Sequence, residues 1–292
     1  MRKPFLLIAA VAAGITANAQ WASISSSATD KLHAIHFFDA NTGICSGYSP
    51  QQVTSNGGTS WTNVPIAGMN DYSFVTNGTT GYAAGSVGNS MKKTTNGGAS
   101  WTNITPPTSN SLWAVATVDA NTAYFVGTGG VLWKTANGGA SVSVLNPGTT
   151  DQMTDIVFTS ATTGMFVTQL GGIKRTTNGG TSWAQVYSPA IGVLMTEMHF
   201  TDANTGYVCG SKGTIAKTTD GGITWTNLNS GSTTVAFQGI HFFDANNGIV
   251  VGLSGIVSLT HDGGATWCTQ TVSSQHLRDV RMLSANSAVV VG

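Results

Sequence analysis

The sequence predicts an all-β fold, a seven-bladed β-propeller of four-stranded blades closed by an N-terminal strand. Three observations lead there. A motif of the form "TTNGGASW" (residues 94 to 101) returns along the chain as "TSNGGTSW", "TTNGGTSW", "TTDGGITW" and "THDGGATW" at a nearly fixed period. Each period holds four short β-rich runs separated by turn residues. Finally, Gly, Ser, Thr and Asn dominate while only 8% of the residues are charged, a composition of short strands and tight turns.

Taken from the N-terminus, residues 1–19 read as a cleaved export signal and stand outside the fold. Arg2 and Lys3 precede an apolar run from Phe5 to Ala13, and the small residues "ANA" end at Ala19. The run is short for a bilayer span, and no later stretch approaches the roughly 20 apolar residues that a membrane helix needs. Residues 20–292 then form one domain, expected to be exported: secreted, periplasmic or at the cell surface.

The Trp that closes each motif serves as a ruler. Trp61, Trp101, Val142 (where the Trp is lost), Trp183, Trp225 and Trp267 are spaced 40, 41, 41, 42 and 42 residues apart. A period of roughly 40 to 45 suits a propeller blade. Trp21 lies in register 40 residues before Trp61, so "WASIS" is expected to be an orphan outermost strand of the last blade. At the other end "DVRMLSANSAVVVG" aligns with the first and second strands of a repeat. The hairpin carrying a seventh motif would then follow Gly292, and the chain reads as truncated in its last blade.

In each period the motif fills the turn between the third and fourth strands. Its Asn or Asp (Asn56, Asn96, Asn137, Asn178, Asp220, Asp262) can accept backbone N–H bonds, and the Gly pair can take positive φ without steric cost. The Trp then anchors the outer strand, so Val142 should leave the third blade weakest. The related turn "DANTG" at Asp39 and Asp202, with variants at Asp119 and Asp244, lacks the downstream ligands of a calcium loop and is explained by turn chemistry.

These residues resemble the Asp-box, or BNR repeat: Thr94, Asn96, Gly98, Ser100 and Trp101 fill its frame. The whole blade pattern, clearest in "NTGYVCGSKGTIAKTTDGGITW", resembles the photosystem II stability/assembly factor (YCF48-like) family over essentially all of residues 20–292. That resemblance implies a seven-bladed propeller acting as an assembly factor. Asp-boxes also occur in sialidases, which bind their substrate with three arginines and cleave with a Tyr and Glu pair. Here residues 20–292 hold only Arg175, Arg278 and Arg281, with Glu197 as the single Glu.

Balanced charge, 12 basic against 12 acidic residues, leaves no basic stripe for nucleic acid. Cys45, Cys209 and Cys268 are odd in number and lack CxxC spacing, which argues against a disulfide framework or a structural zinc site and for buried free thiols. Aligning the repeats on "DANTG" places His36, His199, His241 and Arg281 at one first-strand position. Tyr72, Asp155, Glu197 and Asp279 come two residues earlier, on the same face of the strand. These eight are the candidate binding residues at a channel mouth; structural hydrogen bonding is their alternative role. No cofactor and no metal are expected. Lys92, Lys93, Lys174 and Arg175 read as a solvated third-strand edge.

The expected function is a non-enzymatic, monomeric binding or assembly scaffold for a protein, or else a glycan. Two other readings stand beside it, a cell-surface adhesin-like module and an Asp-box glycoside hydrolase. Loops after the fourth strands, from Pro65 and from Tyr187, vary between repeats and would carry specificity.

Overall fold

A computed structural model describes residues 6–10, 20–24, 26, 28, 30–48, 50–76, 78–86, 91–170 and 172–292. The chain begins with β1 (Leu6–Ala10) and β2 (Gln20–Ile24). Blade 1 follows as β3 (Leu32–Phe37), β4 (Gly43–Gly47), β5 (Gln51–Thr54) and β6 (Thr62–Val64). Blade 2 is β7 (Met69–Phe74), β8 (Gly81–Gly85), β9 (Met91–Thr94) and β10 (Thr102–Ile104). Blade 3 is β11 (Leu112–Thr117), β12 (Ala123–Gly127), β13 (Leu132–Thr135) and β14 (Ser143–Val144), and blade 4 is β15 (Met153–Phe158), β16 (Gly164–Thr168), β17 (Gly172–Thr176) and β18 (Ala184–Tyr187). Blade 5 is β19 (Met195–Phe200), β20 (Gly206–Gly210), β21 (Ile215–Thr218) and β22 (Thr226–Asn227), and blade 6 is β23 (Phe237–Phe242), β24 (Gly248–Gly252), β25 (Ile256–Thr260) and β26 (Cys268–Thr271). Two strands remain, β27 (Asp279–Ser284) and β28 (Ser287–Val291).

The fold is an all-β propeller of four-stranded blades. Six blades, not seven, are each one contiguous repeat whose strands pair in chain order. The strands left at the two ends of the chain form a further sheet in the order β2-β1-β28-β27. Trp21 therefore does lie on an outermost strand, but its neighbour differs from the expected one. Strand β1, from the segment read as an export signal, pairs Ile8 with both Ala22 and Val289 and so lies between β2 and β28. Among the described residues no helix is long and apolar enough to cross a membrane.

The chain divides into two units. Unit 1 holds residues 1–67, 207–217 and 226–292, and unit 2 holds residues 68–206 and 218–225. Within each, the second strands explain the packing. All five residues of β4, β8, β12, β16, β20 and β24 are buried, and strands buried on both faces read as largely apolar runs. In unit 1 the alternation is explicit: Ala288 and Val290 join a core with Ile249, Val251 and Val257, while Val289 and Val291 join one with Leu32, Ile35 and Phe37. Fourth strands such as β14 and β22 are exposed.

The recurring motif is a closed hydrogen-bonded turn. In blade 2 the Thr94 hydroxyl donates to Asn96 Oδ1 at 2.9 Å and accepts from the Gly98 N–H at 3.0 Å, and Asn96 Oδ1 also accepts from the Ser100 N–H at 2.9 Å. Gly97 and Gly98 sit at φ +68° and +83°, where a Cβ would be strained. The Trp101 indole then donates to the Gly98 carbonyl at 3.1 Å. Residue pairs within the motif are matched. Asn96 donates its amide to Ser100 Oγ at 2.8 Å, whereas in blades 5 and 6 the direction reverses and the Thr224 and Thr266 hydroxyls donate to Asp220 and Asp262. Asp39, Asp119, Asp202 and Asp244 each accept two backbone N–H bonds within their own turns, as turn chemistry requires. The two kinds of turn also dock on each other, for the Gly97 N–H donates to Thr79 O and the Gly138 N–H to Asn121 O.

The third blade carries a second Trp where its motif lacks one. Where other repeats carry Gln52, Lys92, Lys174, Ala216 or Ser258, blade 3 carries Trp133, which is 1% exposed. It packs with Tyr82, Met91, Ile104 and Phe125, with Val142 against the same cluster. An indole on β13 thus fills volume that the motif Trp fills elsewhere. The cysteines also differ in part from expectation: Cys45 and Cys209 are buried and free, but Cys268 is free and exposed. Burial pushes the Cys45 thiol pKa up.

Trp133→Ala should destabilise the protein by about 3 to 5 kcal/mol, and Trp183→Ala by less because its ring is only half-buried. Urea unfolding of the two variants checks the order, and the reverse order would refute the compensation. Acid should also separate the blades. Hydrogen bonds from Thr224 and Thr266 hold the Asp220 and Asp262 carboxyls at about 2, below the ordinary 3.8. Their contribution is therefore complete above the ordinary value and lost as pH falls towards 2. Protection factors of the Thr224 and Thr266 amides should drop between pH 5 and pH 2, while those of Ser100 and Ser182 in the Asn-containing motifs should hold.

Candidate functional site on the first strands

The candidate residues lie on first strands, at one edge of each sheet, and their roles follow from register. His36 pairs with Ile44, His241 with Ile249 and Arg281 with Val289, each one residue before the last register pair or its equivalent. Asp155 pairs with Val167 and Asp279 with Val291, two residues earlier on the same face.

In blade 2 the register corrects one assignment. The turn between β7 and β8 spans residues 75–80, one residue longer than the 38–42 turn between β3 and β4. Alignment on the turn therefore slips by one, and a slip of one moves every side chain to the opposite face. Tyr72, paired with Ala83, takes the apolar place of Ile35 and Ile156 and is 6% exposed. Its ring lies 5.6 Å from that of Trp101. Asp71, paired with Ala84, holds the polar place. Comparing "MNDYSF" with "MTDIVF" by strand rather than by turn reveals this, since Asp71 then falls on Asp155.

The three aspartates make the same two bonds. Each Oδ1 accepts the N–H of the next residue: Tyr72 to Asp71 at 2.7 Å, Ile156 to Asp155 at 2.7 Å and Val280 to Asp279 at 2.6 Å. Each Oδ2 accepts an N–H from the first strand of the next blade: Val115 to Asp71 at 2.9 Å, Met198 to Asp155 at 2.6 Å and Ile35 to Asp279 at 2.7 Å. The side faces of first strands present unpaired backbone groups, and these carboxylates satisfy them. One step along the strand, Ser73 Oγ accepts the Thr117 N–H at 2.9 Å and His241 Nδ1 accepts the Met282 N–H at 3.3 Å.

Unit 1 brings together His241 on β23, Asp279 and Arg281 on β27, and His36 on β3. His241 is 6% exposed, and the other three are half-buried. Burial, and then the charge of Arg281, push the His36 pKa down to about 3, so its ring is neutral. Burial pushes the Asp279 carboxyl up to about 6, against the two N–H donors and Arg281. Unit 2 holds Asp155, Glu197 and His199, half-buried, on β15 and β19. Among the described residues no group of three or more His, Cys, Asp or Glu side chains is arranged to hold a metal ion.

The third-strand cations are more than a solvated edge. Arg175 Nε donates to Gly221 O at 2.8 Å and Lys217 Nζ to Gly263 O at 3.0 Å, each reaching the motif turn of the following blade. Lys134 does the same to Gly179 O at 3.4 Å and lies 4.9 Å from the Tyr124 ring centroid. Lys93 lies 5.5 Å from the Tyr82 ring, Lys92 donates to Asn103 Oδ1 and Lys174 to Gly148 O.

The motif turns and the repeated inter-blade bonds define a BNR-repeat propeller. Comparison narrows the class, since residues 190–276 match the sequence family described as photosynthesis system II assembly factor YCF48. A structure of YCF48 bound to D1 peptide superposes with a TM-score of 0.72 at 19% identity, covering 92% of this chain and 95% of that one. YCF48 from Cyanidioschyzon merolae gives 0.71 at 16% identity, covering 92% and 97%. The chain thus resembles YCF48 in fold. The GH74 xyloglucanase from Xanthomonas campestris also superposes, at 0.72 and 11% identity, covering 93% of this chain but 52% of that one. No curated protein sequence matches the chain.

Asp155→Ala should cost about 1 to 3 kcal/mol, because it strands the Ile156 and Met198 N–H groups. An unchanged urea midpoint would remove the clamp from the structural account. For His36 the sign is that of a lowered pKa: its contribution is present above the ordinary 6.5 and lost as pH falls towards 3. The His36 ring resonances should stay in the neutral position from pH 7 to pH 5, and titration near pH 6.5 would contradict its enclosure.

Proposed function

We propose that this chain is a non-catalytic scaffold that holds a partner protein through the loops that follow its fourth strands. The observation that carries this is the loop after β18, where Ile191 is 99% exposed and Leu194 39% exposed. Leu170, 64% exposed, follows Gln169, whose carbonyl accepts the Met195 N–H at the end of that loop. Clustered exposed apolar side chains mark interaction sites more often than chance. The YCF48 structure bound to D1 peptide supports a protein ligand, and a D1-like peptide is the first to test. A glycan is the second ligand class.

The reading includes export as a monomer to the periplasm, cell surface or medium, with residues 1–19 as the signal. A surface-adhesion role uses the same loops. The one alternative that a comparison favours is polysaccharide hydrolysis, through the GH74 likeness. Against it, the first-strand carboxylates Asp71, Asp155 and Asp279 each spend both oxygens on backbone N–H groups.

Replacing Ile191 and Leu194 together by Asp should leave the melting temperature unchanged and weaken binding of a D1-like peptide, or of a partner captured from the source organism, at least tenfold. Undiminished binding would overturn the loop assignment. Xyloglucan and aryl glycoside panels should show no turnover, and turnover lost on carboxylate replacement would make the protein an enzyme.

A further inference from the structure

One strand of unit 1 sits in a place that its own sequence does not fit. In each contiguous blade the third strand lies between the second and the fourth and ends in the Thr that opens the motif, as Thr54 ends β5 and Thr176 ends β17. In the end sheet β1 lies between β28 and β2. It pairs antiparallel with both over five residues, from Leu6 with Val291 and Ile24 to Ala10 with Ser287 and Gln20. Yet "LLIAA" carries no Thr and leads into no motif, and it belongs to the segment read as an export signal.

Two observations mark the place as suited to a different strand. Trp61, Trp101, Trp183 and Trp267 each donate the indole N–H to the carbonyl of the motif Gly three residues before. Trp21 lies in register with them but follows no motif, and its Nε1 is buried without a hydrogen-bond partner among the described residues. Trp225 shares that state, although Gly222 stands in its own motif. A buried N–H left unpaired is costly, and the acceptor missing at Trp21 is the turn carbonyl that a motif-bearing third strand brings. The second observation is that β2 does not depend on β1 alone. Trp21 packs on the core of Ile249, Val251 and Val290, and Ile24 on that of Leu32, Ile35 and Val289. With β2 anchored on two cores, removal of β1 leaves an unpaired edge on β28 and another on β2, a ready template for an added strand.

We propose that the row between β28 and β2 is a strand-acceptor site, opened when residues 1–19 are removed and filled by an extended segment of the partner protein. That segment adds antiparallel to both edges through backbone hydrogen bonds. Its chemistry is that of a third strand such as "LWKT" or "IAKT": an apolar residue at its start, a Thr at its end and a following Gly-containing turn whose carbonyl takes the Trp21 indole N–H. Before processing, β1 fills the row and keeps both edges from pairing elsewhere. The opening step rests on the export reading above. The acceptor site itself does not.

The test uses the full chain carrying Ile8→Pro, which removes a backbone donor from the middle of β1 and loosens it from both neighbours. The probe is the peptide "IKRTTNGGT", residues 173–181. It should bind saturably, slow hydrogen exchange in residues 287–291 and move the Trp21 indole N–H resonance, which is identified by its loss in Trp21→Phe. The unaltered chain should bind it roughly tenfold more weakly, because β1 competes for the row, and the peptide with Lys174→Pro should not bind. Equal affinity for the two chains, no binding to the Ile8→Pro chain or an unmoved Trp21 resonance would overturn the proposal. So would an Ile8→Pro chain that does not fold, since a chain that needs β1 to fold cannot shed it. Mass spectrometry of the exported protein separates the two parts: retention of residues 1–19 ends the opening step together with the processing reading, while peptide binding by the Ile8→Pro chain depends on the site alone. The Ile191 and Leu194 replacement should leave peptide binding unchanged, so the loop assignment can fall while the acceptor site stands.

Discussion

Burial of the second strand on both faces is the constraint on which the rest of this structure depends. A five-residue strand buried on both faces has no face to give to water, so its sequence is largely apolar, as in "GIVVG" of β24, and its few polar residues, such as Ser46 and Thr168, are buried with it. Its backbone groups must also be paired on both edges by strands of its own sheet. Each blade therefore needs a first and a third strand, and the neighbouring sheets must supply the apolar cover. The end sheet shows the rule most plainly, since alternate residues of β28 belong to two different cores.

Polar side chains have been fitted around that apolar arrangement as clamps. Asp71, Asp155 and Asp279 join first strands of successive blades, and Lys134, Arg175 and Lys217 reach the motif carbonyls of the next blade. A carboxylate accepting two backbone N–H groups is held by strong bonds and has little reason to move. This places the first-strand carboxylates on the structural side of the account. The loop after β18 instead presents exposed apolar side chains, Ile191 and Leu194.

Much of the fold was legible because the information is local. The Asn or Asp, the Gly pair and the Trp lie within eight residues of one another, and their bonds to each other form wherever the chain makes that turn. The repeat period then fixed the blade size and the in-order pairing. Burial of apolar runs and turn formation at "DANTG" followed from the same local chemistry.

Tertiary structure alone decided what depends on a neighbour. A one-residue difference in turn length set whether Tyr72 or Asp71 faced the polar side, because strand alternation has period two and register is fixed by pairing, not by the turn. Trp133 could compensate for Val142 only because two strands of one sheet share a packed volume with the next. The partners of Asp155 and Arg175 lie 43 and 46 residues away, a full repeat further on, where spacing within one motif carries no information. The pairing of β1 with both β2 and β28 likewise joins residues far apart in the chain. By itself the sequence determined the turns, the strands and their order; packing between blades decided which side chains clamp one repeat to the next, because those contacts join residues a full repeat apart.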